Sequence, residues 1–548
     1  MTLLALLLLA AAAPAGSEGA ALSRITAAEI SGHLRFLSDD LLEGRRPGQP
    51  GDELATKYLA AQMEAFGLKP LGDNGTWFQA VPLIELRADV PRDVHFTAGG
   101  KDLTLHALGG NAADLIFEPN AHIDRATLKD VPLVFAGYGI TAPEYGWDDY
   151  KDADVKGKVV VVMNFNPPFK GQGVRLWYGR WDYKYINASR HGAVGALVIH
   201  TTPSAGYPWQ VLANRADGSH QDLPPSDAEP RTMQFQGWIT EAAAVRLAQQ
   251  GQQDLDALRK AAGSRDFRVQ PLGSTLSLDM AITRNQIRSA NVVGILPGTD
   301  PRLSQEAVIY TAHHDHLGKG TPPPGTTDGI YNGALDNASG CATLLAIAHA
   351  ATFAPPKRSV IFAFVTAEEQ GLLGSRWLAE HPPIPAERIA ADINLDVVNP
   401  WGRTTDVGVL GLGKSSADGV VRKVAASQGR TVHGDPFPDR GLFYRSDMFS
   451  LARVGVPPVS VKGGPSYVGR PQGWGAEQNV EYEHKRYHQP SDEYHGDWDL
   501  SGDVQDAQLQ LAVGLGIANA PQMPKWTPGD EFEKARTQPR GEAAGGNR

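Results

Sequence analysis

The chain has 548 residues, 42% of them apolar and 20% charged, with 60 glycines and 39 prolines; this is the profile of a loop-rich globular protein too large for one hydrophobic core. A formal charge of −10 and a pI near 5.9 argue against nucleic acid as a partner, since that binding rests on clustered Lys and Arg. The single cysteine, Cys341, excludes an intramolecular disulfide and leaves stability to the core.

The opening MTLLALLLLAAAAPAGSEGA is an uncharged apolar run ending in the small residues Ala13-Pro14-Ala15, which predicts an export signal over residues 1–20 and a periplasmic or secreted protein. The run is shorter than the ~20 residues that cross a bilayer, so no stable membrane span is expected. Between Ile25 and Leu71, helical periodicity is broken at Glu43-Gly44-Arg45-Arg46-Pro47-Gly48, predicting two helices and a turn at the start of a segment 21–130. From about Val131 to about Gln270, runs such as VPLVFAGYGI and KGKVVVVMNF predict a separate β-rich insert over 131–270.

Residues 271–523 carry an α/β texture. AVIYTAHH, SVIFAFVT and IAADINLDVV read as buried strands, each followed by a helix-like segment or a glycine-rich loop, which predicts a mixed, largely parallel central sheet flanked by helices. Cys341 falls in the apolar run ASGCATLLAIAHAA and is expected as a packing residue. The polar residues 524–548 are expected to be disordered.

Ligands of such sheets gather beyond the carboxyl ends of the strands. There the chain places His313-His314-Asp315, Asp336, Glu368-Glu369, Asp396 and His488. Alternation along a strand puts His313 and Asp315 on one side and turns His314 away. Adjacent acids after an apolar strand are costly to desolvate unless a cation neutralises them. Two imidazoles and three carboxylates without a thiolate suit zinc, cobalt or manganese, and zinc is the expected metal. Five ligands serve one four-coordinate ion poorly, whereas one shared carboxylate gives two ions three protein ligands each and room for a water between them.

AHHDHLG, YNGALDNASG, TAEEQGLLGS, NLDVV and YHQPSDEY resemble, in order and setting, the motifs of the M28 (aminopeptidase Y-type) zinc peptidases. LSDDLLEGRRPGQPGDELATKYLAAQMEAFGLKP and SANVVGILPGTDP extend the likeness, and the insert resembles a protease-associated (PA) domain. The resemblance implies a zinc exopeptidase fold with two zinc ions. His313 and Asp396 would bind one, Glu369 and His488 the other, and Asp336 both. It further implies Glu368 as general base, Asp315 as the carboxylate orienting His313, Tyr487 as a donor to the oxyanion, Arg445 as a contact to substrate backbone, and a cis Asp336–Asn337 peptide.

Leu335 and Met448 depart from the family pattern at positions that are not first ligands. His314, His316, His433 and His484 are read as structural or surface residues, and the sequons at Asn74, Asn187 and Asn337 carry little weight. The expected substrate is a peptide with a free N-terminus. The rival reading is a carboxypeptidase for acidic C-terminal residues, with Arg175, Arg180 and Arg190 as candidates for the substrate carboxylate. A receptor-like binding protein and a glutaminyl cyclase are the remaining alternatives.

Overall fold

Three apolar runs make the centre of the molecule. In the computed structural model, which describes residues 18–536 apart from 108–111, 172, 214–218, 225–232 and 324, the strands Ala307–His313, Ser359–Val365 and Ile389–Asn394 are buried at every residue. Apolar side chains on both faces of a strand suit a sheet covered on both sides. Ala307–His313 lies between the other two and parallel to both, with His313 opposite Val365 and Thr311 opposite Asn394. Pro458–Gly463 continues in parallel beside Ile389–Asn394, and the end of Gln270–Leu296 flanks Ser359–Val365 antiparallel. The expected mixed, largely parallel sheet is present.

Alternation divides the side chains of the central strand between two cores. Val308, Tyr310 and Ala312 face helices Ser339–Ala351 and Ser501–Asn519, while Ala307 and Ile309 pack with Leu378 and Leu451 on the opposite side. Cys341 is fully buried in the first core, as expected. Gly514 permits the helix to close on the sheet: a Cβ there would strike the Tyr310 hydroxyl, which donates to Gln510 O at 3.0 Å.

The two early helices cover the same core. Ala27–Leu37 starts where the Thr26 hydroxyl accepts the Glu29 N–H, and it buries Ile30, His33, Leu34 and Leu37 at helical spacing. Pro50 opens Pro50–Ala65, where its missing N–H costs nothing. The break between them carries Arg45 into the interior at 1% exposure.

Helices accompany the strands of the insert. Strands Arg125–Phe135, Val159–Met163, Gly195–His200 and Phe235–Thr240 pair in parallel, with helices Trp181–Arg190 and Glu241–Gln250 among them. Strands Asp93–Ala98 and Leu115–Pro119, ahead of residue 131, belong to the same sheet. The strand Gln270–Leu296 runs through both sheets, pairing first with Arg125–Phe135 and then with Phe78–Ala88 and Ser359–Val365.

The tail read as disordered from 524 is seated as far as Arg536. Trp526 is 6% exposed and donates from Nε1 to Gly455 O, and Arg536 donates to Ile389 O at 2.8 Å. Two aromatic anchors, Trp526 and Phe532, supply the burial that the polar average of this segment conceals. Residues 537–548, and residues 1–17 of the expected export signal, lie outside the described residues. Among the described residues no helix is long and apolar enough to cross a membrane.

Candidate metal centre

Every candidate ligand converges beyond the carboxyl ends of the parallel strands. His313 ends its strand, Glu369 follows Ser359–Val365, Asp396 follows Ile389–Asn394, Asp336 sits in the turn before Ser339–Ala351, and His488 comes from the loop after Trp474–Lys485. The side chains form one alternating series. Asp396 Oδ1 lies 3.5 Å from His313 Nε2, which lies 3.2 Å from Asp336 Oδ1. Asp336 Oδ2 lies 3.3 Å from His488 Nε2, which lies 3.2 Å from Glu369 Oε2. His316, read from sequence as structural, ends the series with Nδ1 2.7 Å from Glu369 Oε1. The Asp336–Asn337 peptide is cis.

These contacts fit an ion better than they fit hydrogen bonds. His313 Nε2 is buried and makes no hydrogen bond of acceptable geometry, although two carboxylates stand within 3.5 Å of it. Atoms bonded to one zinc at about 2.0–2.2 Å stand roughly 3 Å apart. Among the described residues, two groups have donor atoms all within 4.8 Å of one another: His313, Asp336 and Asp396, and His316, Asp336 and Glu369. Asp336 belongs to both.

The charges point the same way. Burial, reinforced by Glu369, pushes the Asp315 carboxyl up to about 8. Burial also holds Glu368 well above the usual carboxylate range, with Glu369 and Asp396 adding to the effect and His313 opposing it. Asp336 moves the other way: against its burial, His313 and His488 draw its carboxyl down. Acid packed this densely out of water is what a divalent cation neutralises.

Further residues hold this set in place. The Asp315 carboxylate accepts the Glu368 N–H at 3.0 Å and the Glu369 N–H at 3.4 Å. Its Oδ1 is 3.7 Å from His313 Nδ1, whose hydrogen-bond partner is the Asp315 backbone carbonyl at 3.2 Å. Ser446 Oγ donates to Asp396 Oδ2 at 2.6 Å. The fully buried Asp492 carboxylate accepts the N–H groups of Leu335 and Asp336. Arg45 donates to the carbonyls of Leu37, His314, Asn332 and Gly333, tying the early helices to two site loops. Ala367, Val397 and His488 all have positive φ, a strain that collects at functional sites. Ser446, Asp492 and Arg45 were missed as site residues in the sequence because their partners lie far along the chain.

Tyr487 stacks on His488 with ring centroids 3.9 Å apart, and Arg445 Nη2 donates to its hydroxyl at 3.3 Å. The Arg445 guanidinium lies over the ring of Tyr207 from the insert, 5.1 Å from its centroid. Arg175 and Arg180, candidates for a substrate carboxylate, are occupied instead. Arg175 donates to the carbonyls of Gly179, Ser204 and Asp439, and Arg180 donates to Tyr444 O and pairs with Asp182. Their positive charge was legible, but the carbonyls that claim them were not. Arg190 is exposed, His433 approaches Asp406, and His314 accounts for itself at Ala290 O and Asp52.

An open α/β sheet whose strand ends bring histidines and carboxylates around a shared aspartate defines the class as an α/β metalloprotein. Residues 291–512 match the profile of peptidase family M28, and residues 129–232 match that of the PA domain. Residues 291–512 are thus a region of the M28 peptidase type, preceded by a region of the PA-domain type. Over 95 residues it is 42% identical to a probable zinc metalloprotease of Pyrenophora tritici-repentis (strain Pt-1C-BFP), covering 17% of this chain and 22% of that protein. Over 112 residues it is 33% identical to a probable zinc metalloprotease of Pyrenophora teres f. teres (strain 0-1), covering 20% and 23%. The chain thus spans less than a quarter of the length of these curated relatives. An aminopeptidase from Aneurinibacillus sp. strain AM-1 shares the fold, with a TM-score of 0.53, 18% identity, and coverage of 92% of this chain and 97% of that one.

Proposed function

We propose that this chain is a two-zinc exopeptidase that removes N-terminal residues from peptides. The observation that carries the reading is Asp336, whose two carboxylate oxygens face different histidines, His313 at 3.2 Å and His488 at 3.3 Å. Asp336 would then serve both ions, with His313 and Asp396 completing one and Glu369 and His488 the other. Zinc in such a site supplies Lewis acidity, polarising a carbonyl and acidifying water.

The remaining work falls to protein groups. Glu368 leaves its backbone beside Glu369 yet stands outside the histidine–carboxylate series, and its carboxylate takes the proton of the attacking water and passes it to the leaving amine. Tyr487 donates its hydroxyl proton toward the oxygen on which charge develops. Arg445 presents its rigid fork of donors to the substrate backbone. Asp315 fixes the Glu368–Glu369 backbone, so that two chemically identical neighbours project differently. The engagement of Arg175 and Arg180 with backbone carbonyls supports the aminopeptidase reading over a carboxypeptidase for acidic residues.

Hydrolysis of free-amine amino acid anilides, N-blocked peptides and C-terminal glutamyl peptides, each with and without chelator, tests the reading. Activity confined to the free-amine set and lost with chelator is expected. Glu368→Gln should keep its zinc while kcat falls by roughly 10²–10⁴, and Glu369→Gln should lose one zinc. Equal hydrolysis of blocked peptides, or near-normal turnover by Glu368→Gln, overturns it.

A further inference from the structure

His316 is a second imidazole on the Glu369 side of the site. It is fully buried, yet neither of its ring nitrogens makes a hydrogen bond of acceptable geometry. The neighbouring histidines differ: His313 Nδ1 meets Asp315 O and His314 Nε2 meets Ala290 O. A buried imidazole without such a bond is costly unless something else engages it. Nδ1 of His316 nonetheless stands 2.7 Å from Glu369 Oε1, and its donor atom lies within 4.8 Å of those of both Glu369 and Asp336. This close approach without hydrogen-bond geometry is the relation that His313 bears to Asp336 and Asp396.

The position is built for that ring. Gly333, in the left-handed region with φ of 54°, lies beneath it, and a Cβ there would come within 2.5 Å of the imidazole. Arg45 holds the Gly333 carbonyl through its side chain and accepts the His316 N–H at its own backbone oxygen, 3.4 Å away. The ring of His488 stands edge-on, 5.6 Å between centroids. The two imidazoles take opposite oxygens of Glu369, His316 at Oε1 and His488 at Oε2.

We propose that His316 is a further metal ligand, joining Asp336, Glu369 and His488 around one ion, so that the two metal positions are chemically unequal. The proposal rests on the two-metal reading above. One position then has four protein ligands and is closed, as in structural zinc sites, while that of His313, Asp336 and Asp396 has three and stays open, as in catalytic ones. The closed position should fill first and empty last.

Zinc titration of the metal-free full chain against a competing chelator, together with X-ray absorption at one equivalent of zinc, tests this. Two binding constants separated by at least about a hundredfold are expected, with two imidazoles on the first ion. His316→Gln keeps a hydrogen-bond donor to Glu369 but removes the imidazole. It should weaken the tighter constant by more than the roughly 10–100-fold that loss of an outer partner causes. A single imidazole on the first ion, or a His316→Gln protein that binds both ions as the unmodified chain does, overturns the proposal; the absorption result decides even if the variant does not fold. Binding of only one zinc by the unmodified chain sinks the two-metal reading instead.

Discussion

Replacing Asp492 by alanine should damage the centre without touching any group that meets substrate. Asp492 is fully buried, and its carboxylate accepts Leu335 N–H at 3.1 Å and Asp336 N–H at 3.0 Å, with the Tyr482 hydroxyl at 3.4 Å. Alanine leaves two buried backbone N–H groups without acceptors. Each such orphan costs about 1–3 kcal/mol, so the variant should be destabilised by roughly 2–6 kcal/mol. Asparagine should lose less than alanine, because Oδ2 alone lies within reach of both N–H groups. Denaturation of the metal-free protein reads the backbone term alone. Zinc titration then reads the displacement of Asp336, the carboxylate that faces both His313 and His488. An Asp492→Ala protein within about 0.5 kcal/mol of the unmodified chain, with unchanged zinc affinity, would refute the reasoning.

Ser446→Ala removes the 2.6 Å bond to Asp396 and should weaken one zinc by roughly 10–100-fold, read by chelator competition; unchanged affinity refutes it. Arg445→Ala should raise KM by about tenfold or more, the worth of one charged hydrogen bond, with metal content intact in elemental analysis. Gly514→Ala drives a methyl into Tyr310 and should cost about 1–3 kcal/mol, visible as a lower Tm. Burial lowers His200 of the insert from 6.5 to about 4. Between these values the unfolded chain binds more protons, so stability falls as pH drops from 6.5 toward 4, by at most about 3 kcal/mol. His200→Phe should flatten that part of the pH–stability curve, followed by fluorescence.

Legibility in the sequence depended on range. The strands Ala307–His313 and Ser359–Val365 announce themselves because a strand buried on both faces needs an unbroken apolar run, and polar residues just beyond such runs are confined to one edge of the sheet. His313, Glu369 and Asp396 were therefore within reach, whereas Asp336, in the turn before a helix, and His488, in the loop after one, were legible only through the motifs around them. The placement of His316 beside Glu369 was not legible, because the strand ends at His313 and the loop beyond it turns that ring back toward Glu369. Asp492 and Arg45 stayed hidden for another reason. Their partners are backbone groups about 160 and 270–290 residues away, and backbone groups carry no side-chain signature. The insert's helices were missed where short apolar runs between Arg- and Tyr-rich loops concealed a parallel sheet that needs covering.

The shared strand Gln270–Leu296 has a mechanical consequence. Phe78–Ala88 and its partner Ile282–Val292 form an eleven-pair antiparallel ribbon, and through it the chain leaves the main sheet and returns. The insert is therefore cantilevered on a stiff stalk and not tethered by a pair of slack linkers, so it cannot swing as a free flap without bending or unzipping that ribbon. The same geometry marks where the protein can be shortened. Ala88 and Ile282 face each other as partners, so a two-residue turn joining them would close the ribbon into a hairpin. The main sheet would keep its strand order, and under the proposed function whatever such a molecule lost in discrimination between peptides would measure what the insert contributes.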